Sequence, residues 1–245
     1  MKKLLISIVA IFTISFYAFA QMNVIVYQKD GSKITYLASE VDSIGFSEKA
    51  EPIAVDLGLS VKWANFNVGA SAPEEYGDYF AWGETETKDY YDWNTYKWCE
   101  GTESTINQYC PELDNRDNLS NSDDAAYVAW GGSWRMPTKE EMSELLDTEK
   151  CIWTWTTVND VKGYEVKSKI NGNTIFLPAA GNKSRESSYF REIYGAYWTN
   201  SVNIDDARKA FYLQCAEEGR DADGFDIIVQ PGFRQVGASI RPVKP

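Results

Sequence analysis

The chain has 245 residues, with 24 Lys and Arg against 36 Asp and Glu for a net charge of −12, no histidine, four cysteines and 14% aromatic residues. Without histidine there is no Ser-His-Asp or Cys-His nucleophile, no His-ligated zinc or iron, and no imidazole titrating near neutral pH. The acidic balance argues against nucleic acid as a partner, because phosphate binding needs clustered Lys and Arg.

In chain order, Met1-Lys2-Lys3 precedes an apolar run from Leu4 to Phe19 that closes with Ala18-Phe19-Ala20. This is the charged, apolar and small-residue order of a secretory signal, so residues 1–20 read as a signal peptide and the protein as exported, to periplasm, cell surface or medium. The run is short for a membrane span and no stop-transfer charge follows it, so no span is expected after cleavage. Gln21 stands where a bacterial lipid-attachment cysteine would be.

Residues 21–47 read as a small β segment. Val24 to Tyr27 and Ile34 to Leu37 flank an Asp30-Gly31 turn as a hairpin, and Val41 to Phe46 would add a short strand. Residues 48–52 carry no apolar periodicity and read as a linker. The larger domain spans residues 53–245. Residues 59–63 alternate at period two, residues 162–170 less cleanly, and residues 173–177 and 210–213 are short apolar runs, all read as strands. Thr138 with Glu141 has capping-box spacing, and Met142, Leu145 and Leu146 supply one apolar face, predicting the clearest helix. A second helix is expected near residues 122–130, with Asp123 and Asp124 at its N-terminus.

Residues 71–125 stand apart, with fourteen Asp and Glu against three Lys and Arg and with Tyr79, Trp82, Tyr90, Tyr91, Trp93, Tyr96, Trp98 and Tyr109 among them. Such a stretch is either a packed irregular excursion or a ligand-binding surface, and its aromatic content argues against disorder. No dinucleotide, nucleoside-triphosphate or Ser-x-x-Lys motif occurs. Acidic pairs such as Glu84 with Glu86 have the chemistry of a glycosidase, although solvated acidic loops are the simpler reading. No cofactor is expected. Calcium is the one metal whose oxygen ligands the region 114–124 offers, and Asp114, Asp117, Asp123 and Asp124 are its candidate ligands, without EF-hand spacing and with Arg116 among them. Export lets cysteines oxidise, and Cys99 with Cys110 is the candidate disulfide; the alternative is four buried free thiols. Trp63, Trp134 and Trp198 are expected inside.

Several blocks carry a resemblance. They are Val55 to Ala64, Asn67-Val68-Gly69-Ala70, Tyr76 to Glu84, Gly131 to Thr138 with Trp134-Arg135-Met136-Pro137-Thr138 at its end, Phe176 to Gly181, Tyr197 to Ser201, and Ser239-Ile240-Arg241-Pro242-Val243. Over about residues 53–243 the chain resembles the Fibrobacter succinogenes major paralogous domain family, whose fold is similar to C-type lectin domains and to formylglycine-generating enzyme. The resemblance implies an α+β, C-type-lectin-like mixed fold with long loops, in which first and last strands pair. Arg135 and Arg241 would hold loop carboxylates or carbonyls in fork geometry. Departures matter too: the enzyme relatives use a closely spaced cysteine pair where Cys215 is alone, and Gln230-Pro231-Gly232 lacks the carboxylate of the calcium-dependent sugar motifs.

Some proteins of that fold diversify C-terminal loop residues and use them as a receptor surface. The corresponding positions, taken as candidate ligand-binding residues, are Asn200, Asn203, Asp205, Arg208, Tyr212, Gln214, Arg220, Asp223, Phe225 and Arg234. The expectation is a non-enzymatic binding or adhesion protein that recognises an extracellular glycan or protein. The alternatives are a structural envelope or surface component without a soluble ligand, and a glycan hydrolase with paired carboxylates.

Overall fold

The computed structural model describes residues 23–27, 32–41, 50–114, 116–217 and 227–245. The chain divides into two compact units, Met1–Glu48 and Lys49–Pro245. The signal segment, the Asp30-Gly31 turn, residues 42–46 and the candidate residues Arg220, Asp223 and Phe225 lie outside the described residues.

In the first unit, β1 (Asn23–Tyr27) pairs antiparallel with β2 (Lys33–Leu37). The register sets Val24 opposite Tyr36 and Val26 opposite Ile34, so alternation gathers four apolar side chains on one face.

The second unit is mostly β, and this corrects the α+β, C-type-lectin-like expectation. Together with the hairpin, the described residues form 13 strands in five small antiparallel sheets. Helix is confined to short pieces: α1 (Pro111–Asp114), α2 (Ala125–Trp130) and α3 (Lys139–Glu144). The physical reason is length. α3 has its full capping box, with Thr138 Oγ1 accepting from Glu141 N and Glu141 Oε2 from Thr138 N, yet it runs only six residues. α2 follows a 3-10 turn at Asn121–Asp123 and is capped by Asp124. Helices of one or two turns cannot cover a sheet, so the strands supply the core.

One sheet joins the two ends of this unit: β4 (Lys62–Ala64) lies between β3 (Ala54–Val55) and β13 (Val243–Lys244). A second is the meander of β5 (Cys151–Val158), β6 (Val161–Ser168) and β7 (Thr174–Pro178). A hairpin pairs β8 (Asn182–Ser184) with β9 (Ser187–Tyr189). The last sheet runs in the order β10 (Tyr194–Val202), β11 (Lys209–Ala216), β12 (Ile228–Phe233).

β10 is the centre of the unit and is buried on both faces beyond Tyr194. Tyr197 points into a cluster with Leu57, Trp63, Leu145, Val166, Leu177 and Leu213. Its neighbours Ala196 and Trp198 point the other way, into a cluster with Phe80, Trp82, Met136 and Ile240. A strand packed on both sides carries no polar alternation, which is why period two does not mark it in the sequence. Trp63, Trp134 and Trp198 are all buried.

Two guanidiniums sit fully inside. Arg241 donates to Asn67 Oδ1 (2.8 Å) and to the carbonyls of Ala64 and Phe176, and burial pulls its pKa down to about 10. Arg234 donates to Tyr96 Oη (2.8 Å) and to the carbonyls of Ala207, Gln108 and Tyr109, with its plane 4.5 Å from the Trp82 ring. Arg135 instead forks onto Glu141 at 2.7 and 2.6 Å. Arg135 thus holds a carboxylate and Arg241 carbonyls, but the partners sit on α3, β4 and β7 and not on the loops expected.

Residues 71–125 resolve as a packed excursion. Tyr79, Trp82, Tyr91, Tyr96 and Tyr109 are buried, and among the described residues the backbone pairs through single bridges such as Phe80 with Ala238 and Tyr91 with Arg185. Aromatic groups replace the ladder: Tyr79 Oη donates to Ala180 O, Tyr91 Oη to Tyr79 O, Tyr96 Oη to Trp82 O and Trp82 Nε1 to Thr199 O. Among the described residues no helix is long and apolar enough to cross a membrane.

Candidate binding face

The three-stranded sheet places its residues in rows. Trp198, Tyr212 and Gln230 are register partners across it, as are Ala196, Gln214 and Ile228, while Tyr194 opposes Ala216. Partners in register share a face, so all eight lie on one side. The inner part of that face is covered, since Trp198 Nε1 donates to Phe80 O at 2.9 Å. The outer part, made by Tyr212, Gln214, Gln230 and Ile228, is half-buried to exposed.

Three polar groups close a triangle on that outer part. Gln230 Nε2 donates to Tyr212 Oη (3.1 Å) and to Gln214 Oε1 (2.9 Å), and Tyr212 Oη donates to Gln214 Oε1 (2.9 Å). Both N–H groups of Gln230 are therefore used, while its Oε1 and the Nε2 of Gln214 find no partner among the described residues. The face thus presents one amide acceptor and one amide donor, each fixed by its other half. Burial pushes the Tyr212 phenol up, against the lowering bond from Gln230, so it stays protonated and directional. Gly232 makes room for that ring: a Cβ there would lie 2.7 Å from Tyr212.

At the Tyr194 end the face continues into a row of rings. Phe190 lies 5.5 Å from Tyr194 and 6.1 Å from Tyr189, centroid to centroid. Phe190 is 55% exposed and adopts a φ of 60°, a left-handed conformation that an aromatic residue rarely takes, and Glu192 follows at 62°. The surroundings impose it. Glu192 N donates to Ala179 O, Gly181 N to Tyr194 O and Tyr194 N to Phe190 O, while Arg191 donates to Tyr79 Oη and its guanidinium lies over the rings of Tyr76 and Tyr79. Gly181 lets the loop close, because any Cβ there would collide with the Tyr189 carbonyl. The strained turn is thus held by its frame and carries two exposed rings at its tip.

Of the sequence-predicted binding residues, the structure brings together Tyr212 and Gln214. Asn200 is buried, its backbone N–H donating to Pro137 O and its Oδ1 accepting from Ser201 Oγ. Asn203, Asp205 and Arg208 belong to the β10–β11 connection, where Asn203 Oδ1 takes Asp205 N and Arg208 forks onto Asp206. Arg234 is the interior anchor described above and reaches no ligand surface. Gln230, Tyr189, Phe190 and Tyr194 were missed. Only register links Gln230 to Tyr212, and no local pattern announces the left-handed turn at Phe190.

The calcium candidates are engaged separately. Asp114 takes Tyr109 N and pairs with Arg116; Asp117 takes the Asn118 amide; Asp123 takes Tyr109 Oη (2.5 Å), Ser120 and Lys97; Asp124 takes the backbone N–H of Tyr127 and Met136. No group of three or more Asp, Glu, Cys or His that could hold a metal occurs among the described residues. Cys99 and Cys110, the candidate disulfide, are free here, as are Cys151 and Cys215. Cys99 Sγ turns inward to Trp93 O at 3.0 Å. Comparison with protein-family models, curated proteins and solved structures returned no match for this chain.

Proposed function

We propose that the larger unit is a non-catalytic recognition module of an exported protein, and that it binds an extracellular glycan through the outer face of β11–β12 and the Tyr189–Phe190–Tyr194 row. Export rests on the charged, apolar and small-residue order of residues 1–20. The observation that carries the binding reading is the juxtaposition of a fixed amide donor and acceptor, Gln214 Nε2 and Gln230 Oε1, with the half-buried Tyr194 and the exposed rings of Phe190 and Tyr189 beyond it. Sugar rings stack their C–H faces on aromatics and exchange hydrogen bonds with amides, and here the amides stand on a strand ladder while Phe190 is held at the tip of a hydrogen-bonded loop.

The test is a glycan and mucin array probed with residues 21–245, wild type beside Phe190→Ala and Gln230→Ala. Selective binding that drops about tenfold or more in each variant is expected, because each removes one hydrogen-bonded or stacking contact. Binding should survive EDTA, since the eight residues of the face include no carboxylate. Wild-type binding that neither substitution weakens would move the ligand elsewhere, and a blank array would leave a protein ligand or a purely structural envelope role as the better account.

A further inference from the structure

The packed excursion holds a concavity of about 390 Å³, none of whose lining residues belongs to β10, β11 or β12. Its wall includes Glu84, Thr85, Glu86, Thr87, Lys88 and Lys97. Glu84 is the unusual member, because its side chain is only 9% exposed and still reaches this wall. Both hydrogen bonds it accepts fall on Oε1, from Lys88 Nζ (2.9 Å) and from the backbone N–H of Lys97 (2.8 Å). Oε2 accepts none from the described residues. That oxygen is open at the surface of the concavity, so a ligand entering there would meet a free acceptor on an otherwise buried side chain.

The frame around that oxygen is stiff. Lys88 Nζ also donates to Thr95 O at 3.0 Å and stands 5.5 and 5.8 Å from the rings of Tyr91 and Tyr96. Two of its three N–H donors are thereby used and one is left. Lys97 Nζ is held by Asp123 at 3.3 Å, over the Trp98 ring at 4.0 Å. Counting Asp123, which holds Lys97, three carboxylates stand against two ammoniums here, so an anionic ligand would be repelled. An uncharged polyol would not be. Each of its hydroxyls donates one hydrogen bond and accepts others, matching a carboxylate oxygen set beside an ammonium donor and the threonine hydroxyls.

We propose that this concavity is a saccharide subsite, in which Glu84 Oε2 accepts from, and Lys88 Nζ donates to, hydroxyls of one neutral pyranose unit. It is independent of the sheet face and would stand if that reading failed. The test is an amide-resolved NMR titration of the ¹⁵N-labelled protein with D-galactose, D-mannose and N-acetyl-D-glucosamine, following the amide of Lys97 and those of residues 85–88. Saturable shifts with at least one sugar are expected. They should need about tenfold more sugar in Glu84→Gln, which keeps an oxygen for Lys97 N but removes the charge, and should persist unchanged in Gln230→Ala. A Glu84→Gln spectrum unaltered elsewhere establishes that the fold stands. Amides that none of the three sugars moves, shifts as strong in Glu84→Gln, or a response to glycine or acetate in place of the sugars would each overturn the proposal.

Discussion

Residues 71–125 and the β10–β12 sheet use similar side chains to opposite ends. In the excursion, where little ladder exists, phenols and indoles are turned inward to satisfy carbonyls: Tyr79 on Ala180, Tyr96 on Trp82, Trp98 on Gly83. In the sheet the backbone satisfies itself, so Tyr212, Gln214 and Gln230 bond to one another and keep an amide donor and acceptor for something else. Aromatic content alone therefore does not mark a binding surface; what matters is whether the backbone beneath needs those side chains.

The sharpest way to break the comparison is Arg234→Met. It strips hydrogen bonds from Tyr96 Oη and three carbonyls at once, and a loss of about 3 kcal/mol or more in urea unfolding is expected, with Arg234→Lys restoring little. A loss below about 1 kcal/mol would mean that the excursion does not depend on this anchor. The same chemical deletion made in each region comes next. Tyr109→Phe removes the bonds to Asp123 and Ser120 and should cost about 1–3 kcal/mol, whereas Tyr212→Phe should cost under about 1 kcal/mol of stability and show its effect in ligand binding. Equal costs would erase the distinction.

Acid offers a third measurement. Burial raises the carboxyls of Asp123 and Glu141, but bonds from Tyr109, Ser120 and Lys97 to the first, and from Arg135 and Thr138 to the second, prevail and hold both below their usual range. A carboxylate depressed in the fold contributes stability above its unfolded pKa and loses it as pH falls through the folded one, so unfolding free energy should decline below about pH 4.5. Tyr109→Phe should flatten that decline. The smallest effect concerns thiols. Burial pushes Cys215 up to about 12 and raises Cys151 as well, while Cys99 and Cys110 are half-exposed. A thiol reagent at pH 8 should modify Cys110 first in the native protein, Cys99 more slowly because its Sγ turns inward, and the other two only after unfolding.

Much of the local structure was legible. Thr138 and Glu141 announced α3, Asp124 its place at the start of α2, and the alternation of residues 24–27 and 34–37 the first hairpin. The fold class was not, because capping motifs declare where a helix begins and say little about how soon it ends. β10 went unmarked for lack of a polar face, and β5 for its unbroken apolar and threonine run. The site was half legible. Tyr212 and Gln214 stand two apart on one strand, a spacing visible in the sequence, whereas Gln230 joins them only through register and Phe190 only through a turn that Ala179, Gly181 and Arg191 impose.

The sheet of β3, β4 and β13 also has a mechanical meaning. β3 and β13 flank β4 and both run antiparallel to it, so they point the same way. Tension applied at Lys49 and Pro245 enters at the start of one outer strand and leaves at the end of the other, loading the hydrogen bonds on β4 together in shear instead of unzipping them singly. Short as these strands are, they form a clasp, and the larger unit should yield to pulling only when all of its rungs let go at once.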